Sequence, residues 1–134
     1  MAKKFKKYNL STGIYDHLLF WGLISQKKSH ELVLPLSDVL CLSFTKSNTS
    51  EYQAYFCMQN DVYYFLVKNT SNSVFTPYSV DYVFAIANYS GDISLLKKAL
   101  KKIQEDSFLL GFYELHLKPK ENTHAIALLD LLMQ

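Results

Sequence analysis

The chain has 134 residues, 49% of them hydrophobic and 15% aromatic, which is enough apolar surface to form a core and excludes an intrinsically disordered chain. The net charge is only +2 and all 14 basic residues are lysine, so the arginine fork that grips phosphates and base edges is absent and nucleic acid is disfavoured as a partner. We expect one domain over residues 1–134, with residues 1–9 as a flexible basic N-terminus.

The cysteines and the length of the apolar runs indicate the compartment. Cys41 and Cys57 lie in apolar stretches without C-x-x-C spacing, which is typical of reduced, buried thiols. No apolar run is long enough to span a bilayer, and the basic start is not followed directly by the apolar segment of a signal peptide. The sequence therefore predicts a cytoplasmic protein without a membrane partner.

Elements in the first third of the chain are predicted from apolar periodicity. Residues 14–24 alternate as a strand that is apolar on both faces and is therefore largely buried. Residues 27–40 fit a helical stripe, but Pro35 would kink or shorten that helix. We predict a short or broken helix there, with a strand as the alternative. Residues 39–44 are predicted as a strand, and residues 45–50 as an exposed loop.

A β-hairpin is the clearest pattern in the chain. Two aromatic-rich runs meet at Asn60-Asp61, two residue types that tolerate the positive φ of a tight turn. A two-residue loop places Phe56 opposite Phe65, and by the same register it pairs Met58 with Tyr63 and Ala54 with Val67. These side chains form one face that we assign to the core, whereas the second face is only half polar.

The second half of the chain predicts two strands and two helices. A strand covers residues 80–87 and another covers residues 108–117, while Pro119 breaks the chain before a final helix over residues 124–133, capped by Asn122 or Thr123. Between the strands, Ser90-Gly91-Asp92 opens a helix with a buried stripe and a wet lysine face. The stripe comprises Ile93, Leu96, Leu100 and Ile103, and the wet face comprises Lys97, Lys98, Lys101 and Lys102. The predicted fold is α+β: an antiparallel sheet of about five or six strands with two or three helices packed mainly on one face.

Two segments carry a family resemblance. Residues 20–25 read FWGLIS and precede a lysine-containing stretch and a leucine-rich segment, and residues 75–82 read FTPYSVDY and precede an apolar strand and a lysine-rich helix. This arrangement, which covers most of the chain, resembles the IPExxVD family of small bacterial proteins. Val80, Asp81 and Tyr82 fit its signature, whereas Thr76 and Pro77 stand where proline and glutamate are expected. The resemblance implies a bacterial, cytoplasmic, single-domain protein, implies no known activity or cofactor, and singles out Asp81 and Tyr82.

Catalytic and metal motifs are missing from the sequence. The four histidines, at positions 17, 30, 116 and 124, lack the spacing of a metal site, and no nucleophile elbow or glycine-rich phosphate loop occurs. We therefore expect no catalytic residue, no metal and no cofactor. Asp81 interrupts an apolar strand and must find a partner, either the backbone of residues 76–79 or a reacting group.

Three functions are open, in order of preference. The first is a non-catalytic interaction module that pairs with a second copy of itself or with an unknown protein, because apolar side chains exceed what the interior needs. The candidate interface comprises Tyr55, Tyr64, Leu66, Leu128 and Leu132. Alternatively, the terminal helix covers the second hairpin face within one chain.

The second function is a small-molecule binder or small enzyme with a pocket formed by His17, Trp21, Asp81 and Tyr82. The third is single-stranded nucleic-acid binding by the lysines of residues 3–7, beside Phe5 and Tyr8. The near-neutral charge and the lack of arginine argue against the third function.

Overall fold

The computed structural model describes residues 17–48, 53–70, 75 and 77–133, so the N-terminal lysines and residues 14–16 of the predicted first strand lie outside the described residues. In chain order the elements are β1 (Leu18–Ile24), α1 (Ser29–Leu40), β2 (Thr45–Lys46), β3 (Ala54–Gln59), β4 (Val62–Lys68), β5 (Tyr82–Ala87), α2 (Ile93–Glu105), β6 (Gly111–Leu115) and α3 (Pro119–Leu132). The predicted α+β class is confirmed.

Within the described residues, the strands form one six-stranded sheet in the order β2-β3-β4-β5-β1-β6. Every neighbouring pair is antiparallel. β1, the first described strand, therefore lies between two strands that follow much later in the sequence. Its position away from the edges explains why residues 18–24 are apolar on both faces.

Helices cover both faces of the sheet. α1 and α2 pack on one face, where Leu36 and Leu100 meet Trp21 and Phe84 in a single apolar cluster. α3 packs on the opposite face, where Leu129 joins a second cluster that includes Phe65 and Val83. Two of the three helices thus share a face, and the sheet is buried between two apolar layers.

The predicted hairpin is confirmed in every pair. Phe56 lies opposite Phe65, Met58 opposite Tyr63 and Ala54 opposite Val67, with β3 and β4 joined by a two-residue turn. Asn60 and Asp61 have φ values of 53° and 65°, which gives the left-handed conformation that a two-residue hairpin turn requires.

Some predicted boundaries are wrong because the ends of helices lie elsewhere than predicted. Residues 39 and 40 form the end of α1, and Cys41 terminates that helix in the left-handed conformation at φ 56°. The next strand is Thr45–Lys46, so the strand predicted over residues 39–44 is wrong. Pro35 is buried inside α1 without ending it.

The final helix begins five residues earlier than predicted. Pro119 stands in its first turn, where the missing N–H costs nothing, so it starts α3 and does not break the chain. The Glu121 carboxylate accepts a hydrogen bond from the Lys118 N–H at 2.9 Å, while Thr123 bonds the Pro119 carbonyl. Neither Asn122 nor Thr123 is the cap.

α2 follows its prediction closely. The Asp92 carboxylate accepts from the Ser94 N–H at 2.9 Å and caps the helix. Leu96, Leu100 and Ile103 are buried, whereas Ile93 is 40% exposed and does not belong to the buried stripe.

Candidate functional site

The four side chains of the predicted pocket do not converge. His17 precedes β1 and lies beside the end of β5, because its carbonyl accepts from the Asn88 N–H at 3.0 Å. Asp81 precedes β5, and its N–H bonds the Leu23 carbonyl at the other end of β1. β1 has seven residues, so these two positions are roughly 20 Å apart at the usual rise of a strand.

Trp21 and Tyr82 are buried beneath α1 and α2, with 2% and 3% of their surfaces exposed. The Tyr82 hydroxyl donates to the Lys27 carbonyl at 2.6 Å, and burial raises its pKa. The Trp21 indole N–H has no acceptor among the described residues. Both rings therefore belong to the core, which corrects their assignment to a pocket.

Asp81 has a structural role. Its carboxylate accepts a hydrogen bond from the Ser25 N–H at 2.9 Å, so the backbone partner lies in the β1–α1 connection and not in residues 76–79. Ser25 in turn donates to the Phe108 carbonyl at 2.7 Å. A Cβ at Gly22 would lie 2.5 Å from Val80 Cγ1, so the missing side chain lets the segment before β5 approach β1. The two hydrogen bonds join the β1–α1 connection to the segments that precede β5 and β6.

A cleft of about 460 Å³ lies at the His17 end of the sheet. Its lining includes Asn88 and Tyr89, whose polar groups already bond within the chain: Asn88 donates to the Asp61 carbonyl at 2.9 Å, and Tyr89 to the Asp92 carbonyl at 3.1 Å. His17 and Ser90 complete its polar lining. His17 is therefore the one residue of the predicted pocket that lines this cleft.

The predicted interface side chains are mostly covered inside the chain. Leu66 is 1% exposed, Leu128 5% and Leu132 0%, whereas Tyr55 and Tyr64 are half-buried. The terminal helix packs on the first hairpin face with Phe65, and α1 and α2 cover the second face. The alternative that the terminal helix covers the second face is wrong in its choice of face, and these leucines offer a partner no accessible surface.

Other candidate chemistries have little support in the described part of the chain. No group of three or more His, Cys, Asp or Glu side chains is arranged there to hold a metal ion. Cys57 is a buried free thiol, but Cys41 is exposed, contrary to the expectation that both are buried. None of the helices in residues 17–48, 53–70 and 77–133 is long and apolar enough to cross a membrane.

A groove between α2 and β6 is lined by five charged side chains. It has a volume of about 380 Å³ and is lined by Lys97, Lys98, Lys101, Lys102, Glu105 and Phe112. We call it the lysine groove. All four lysines are exposed, whereas Phe112 is half-buried and its ring centroid lies 6.1 Å from that of Trp21. The lining is mainly carbon, so Phe112 and the lysine stems give the groove an apolar floor.

The ends of α2 and β6 hold this groove in place. Phe112 pairs with Leu23 across β1 and β6, which directs its ring toward the face covered by α2. The Gln104 amide donates to the Leu110 carbonyl at 3.4 Å, which ties the last turn of α2 to the start of β6. Leu110 itself is 61% exposed beside that turn.

Sequence reasoning found half of the lysine groove. The helical period identified the four lysines as one face but assigned them to solvation, since a lysine run on a helix is usually solvated surface. Phe112 was assigned only to a strand, because nothing local indicates that β6 lies beside β1 and under α2.

Comparison of the chain with protein-family models, curated proteins and solved structures found no significant match.

Proposed function

We propose that this chain is a non-catalytic interaction module that binds an acidic segment of another protein in the lysine groove. The observation that carries the proposal is the arrangement of four exposed lysines around one groove with an aromatic floor. A negatively charged partner complements this surface and is steered toward it over distances of about 10 Å.

The charge arrangement is unfavourable for the free protein. Lys97 and Lys101 are four residues apart on α2, as are Lys98 and Lys102, so each pair repels on one helix face. Such like-charge pairs destabilise a helix by about 0.2–0.5 kcal/mol each. Carboxylates of a bound partner would offset that repulsion, so partner binding would explain the lysine cluster better than solubility alone.

Three features favour a protein partner over nucleic acid. The chain has no arginine, so bidentate phosphate contacts are unavailable, and its net charge is only +2. Glu105 lies at the groove itself and would repel a phosphate backbone, whereas a protein segment can present a mixture of charges to it. An acidic peptide therefore fits the lining better than a polyphosphate.

The proposal includes a cytoplasmic location and membership of the IPExxVD family, as the sequence predicts. The exposed free thiol of Cys41 suits a reducing compartment, where it stays unpaired. The non-catalytic assignment is supported by the separation of His17 from Asp81 and by the structural use of Asp81 and Tyr82.

The test is binding of a short fluorescent glutamate-rich peptide, measured by anisotropy at low and high salt. Lys97→Gln combined with Lys101→Gln should weaken binding about tenfold, because two charge contacts of roughly 0.7 kcal/mol each are lost. The matched control combines Lys118→Gln with Lys120→Gln, which changes the net charge equally at exposed positions of the α3 end. This control should change the affinity less than about twofold.

Two results would contradict the proposal. Equal losses in the two double variants would show that the peptide senses only net charge. Tighter binding of a single-stranded RNA oligonucleotide than of the acidic peptide would replace the protein partner with nucleic acid.

A further inference from the structure

The lysine groove is amphipathic, and its occupant must match both of its parts. The four exposed lysines, which we call its rim, carry the positive charge, but the exposed lining is mainly carbon from Phe112 and the lysine stems. A purely acidic segment would satisfy the rim and leave the floor in contact with water. The floor therefore selects a partner that also carries an apolar side chain.

We propose that the lysine groove binds an acidic amphipathic helix that inserts one large apolar side chain against Phe112. This inference rests on the proposed function and specifies the partner's chemistry: carboxylates spaced one helical turn apart around a leucine or an aromatic residue.

The spacing of the rim supports a helical partner. Lys97 and Lys101 are four residues apart, which is about 6 Å along α2 at the helical rise. Glutamates four residues apart on a partner helix repeat with the same 6 Å period, so two carboxylates can meet two ammonium groups in register. Lys98 and Lys102 form a second row with the same period.

The size of the groove fixes what can enter it. At about 380 Å³ it lies near the lower end of cavities that hold small organic groups, so it accommodates one or two side chains and not a whole helix. Phe112 packs against Trp21, whose ring is anchored in the core, so the floor is preorganised before the partner arrives.

The experiment compares two helical peptides of identical charge, one with a central leucine and one with alanine at that position. The leucine peptide should bind the wild-type protein about tenfold more tightly, because leucine buries more apolar surface than alanine when the complex forms. Phe112→Ala should reduce this ratio toward one, whereas Tyr113→Ala should preserve it. Tyr113 is the matched control because it is the next residue of β6, is 43% exposed and points to the α3 face.

A second measurement tests the inference even if the Phe112→Ala variant does not fold. In NMR spectra, the leucine methyl signals of the bound peptide should shift upfield from the Phe112 ring current, and Phe112→Leu, which keeps the floor apolar, should abolish that shift. Equal affinities of the two peptides, or methyl signals that do not move, would overturn the inference and leave the proposed function standing. Failure of both peptides to bind would overturn the proposed function as well.

Discussion

Asp81 and Tyr82 are neighbours in sequence, and both side chains bond the connection between β1 and α1. Asp81 accepts from the Ser25 N–H and Tyr82 donates to the Lys27 carbonyl. Each hydrogen bond satisfies a backbone group that secondary structure leaves unpaired, and such bonds typically contribute about 1 kcal/mol. The sequence indicates that Asp81 needs a partner, but it does not identify partners more than fifty positions away, because loop contacts leave no periodic signal.

A second pair at the residue scale joins Tyr78 to the start of α3. The Tyr78 hydroxyl donates to the Glu121 carboxylate at 2.6 Å, which raises the pKa of Tyr78 to about 12 and lowers the pKa of Glu121. Because the folded-state pKa of Tyr78 lies above its unfolded value of 10 and that of Glu121 lies below its unfolded value of 4.5, the stability from this bond is present between those two values. It is lost between pH 10 and 12 as Tyr78 ionises, and at acid pH as Glu121 becomes protonated.

We therefore expect one tyrosine ring signal to titrate near pH 12 in carbon-detected NMR, and Tyr78→Phe to remove that signal. The same variant should reduce the loss of stability between pH 10 and 12, as measured by urea denaturation. A Tyr78 signal that titrates near pH 10 would contradict the hydrogen bond.

At the scale of elements, α2 and the β3–β4 hairpin were predictable because their information is local. The helical period of α2 and the left-handed residues at Asn60-Asp61 specify each element without reference to the rest of the chain. α1 and α3 were less predictable, because Pro35 was read as a helix breaker and Pro119 as a stop. Pro119 lies in the first turn of α3, where a backbone N–H has no partner within the helix, and α1 continues through Pro35 to Leu40. The capping carboxylates of Glu31 and Glu121 mark the true starts of the two helices.

The hairpin turn provides a prediction at this scale. Asp61 has φ 65°, so Asp61→Val should lower the free energy of unfolding by about 1–2 kcal/mol, because a β-branched residue is strained in the left-handed region. Asp61→Gly should raise it by about 0.5 kcal/mol, because glycine adopts this conformation freely. Urea denaturation of both variants provides the measurement, and equal stabilities would show that the turn is not the two-residue form.

At the scale of the whole molecule, stability depends on two apolar layers that share one sheet. α3 seals one layer with Leu129, and α2 seals the other with Leu100; both side chains are at most 1% exposed. Because every strand of the described sheet except short β2 contributes to both layers, loss of either helix exposes the common sheet.

Leu129→Ala and Leu100→Ala should each lower the free energy of unfolding by about 2–5 kcal/mol. Leu131→Ala, on the more exposed side of α3, should cost less than about 1 kcal/mol. Trp21 is the single tryptophan and lies in the layer opposite α3, so its fluorescence and the helical circular dichroism should report the same midpoint if the layers unfold together. A Leu129→Ala variant that loses helical signal before Trp21 fluorescence changes would contradict this coupling.

The sequence by itself determined the α+β class, the hairpin with its register and the lysine face of α2, because each follows from spacings of two, three or four residues. Only the tertiary structure decided that β1 lies between β5 and β6, that α3 covers the first hairpin face, and that Phe112 forms the floor beneath the lysines. These features depend on side chains that meet from distant positions, and the free energy of that packing has no local pattern in the sequence.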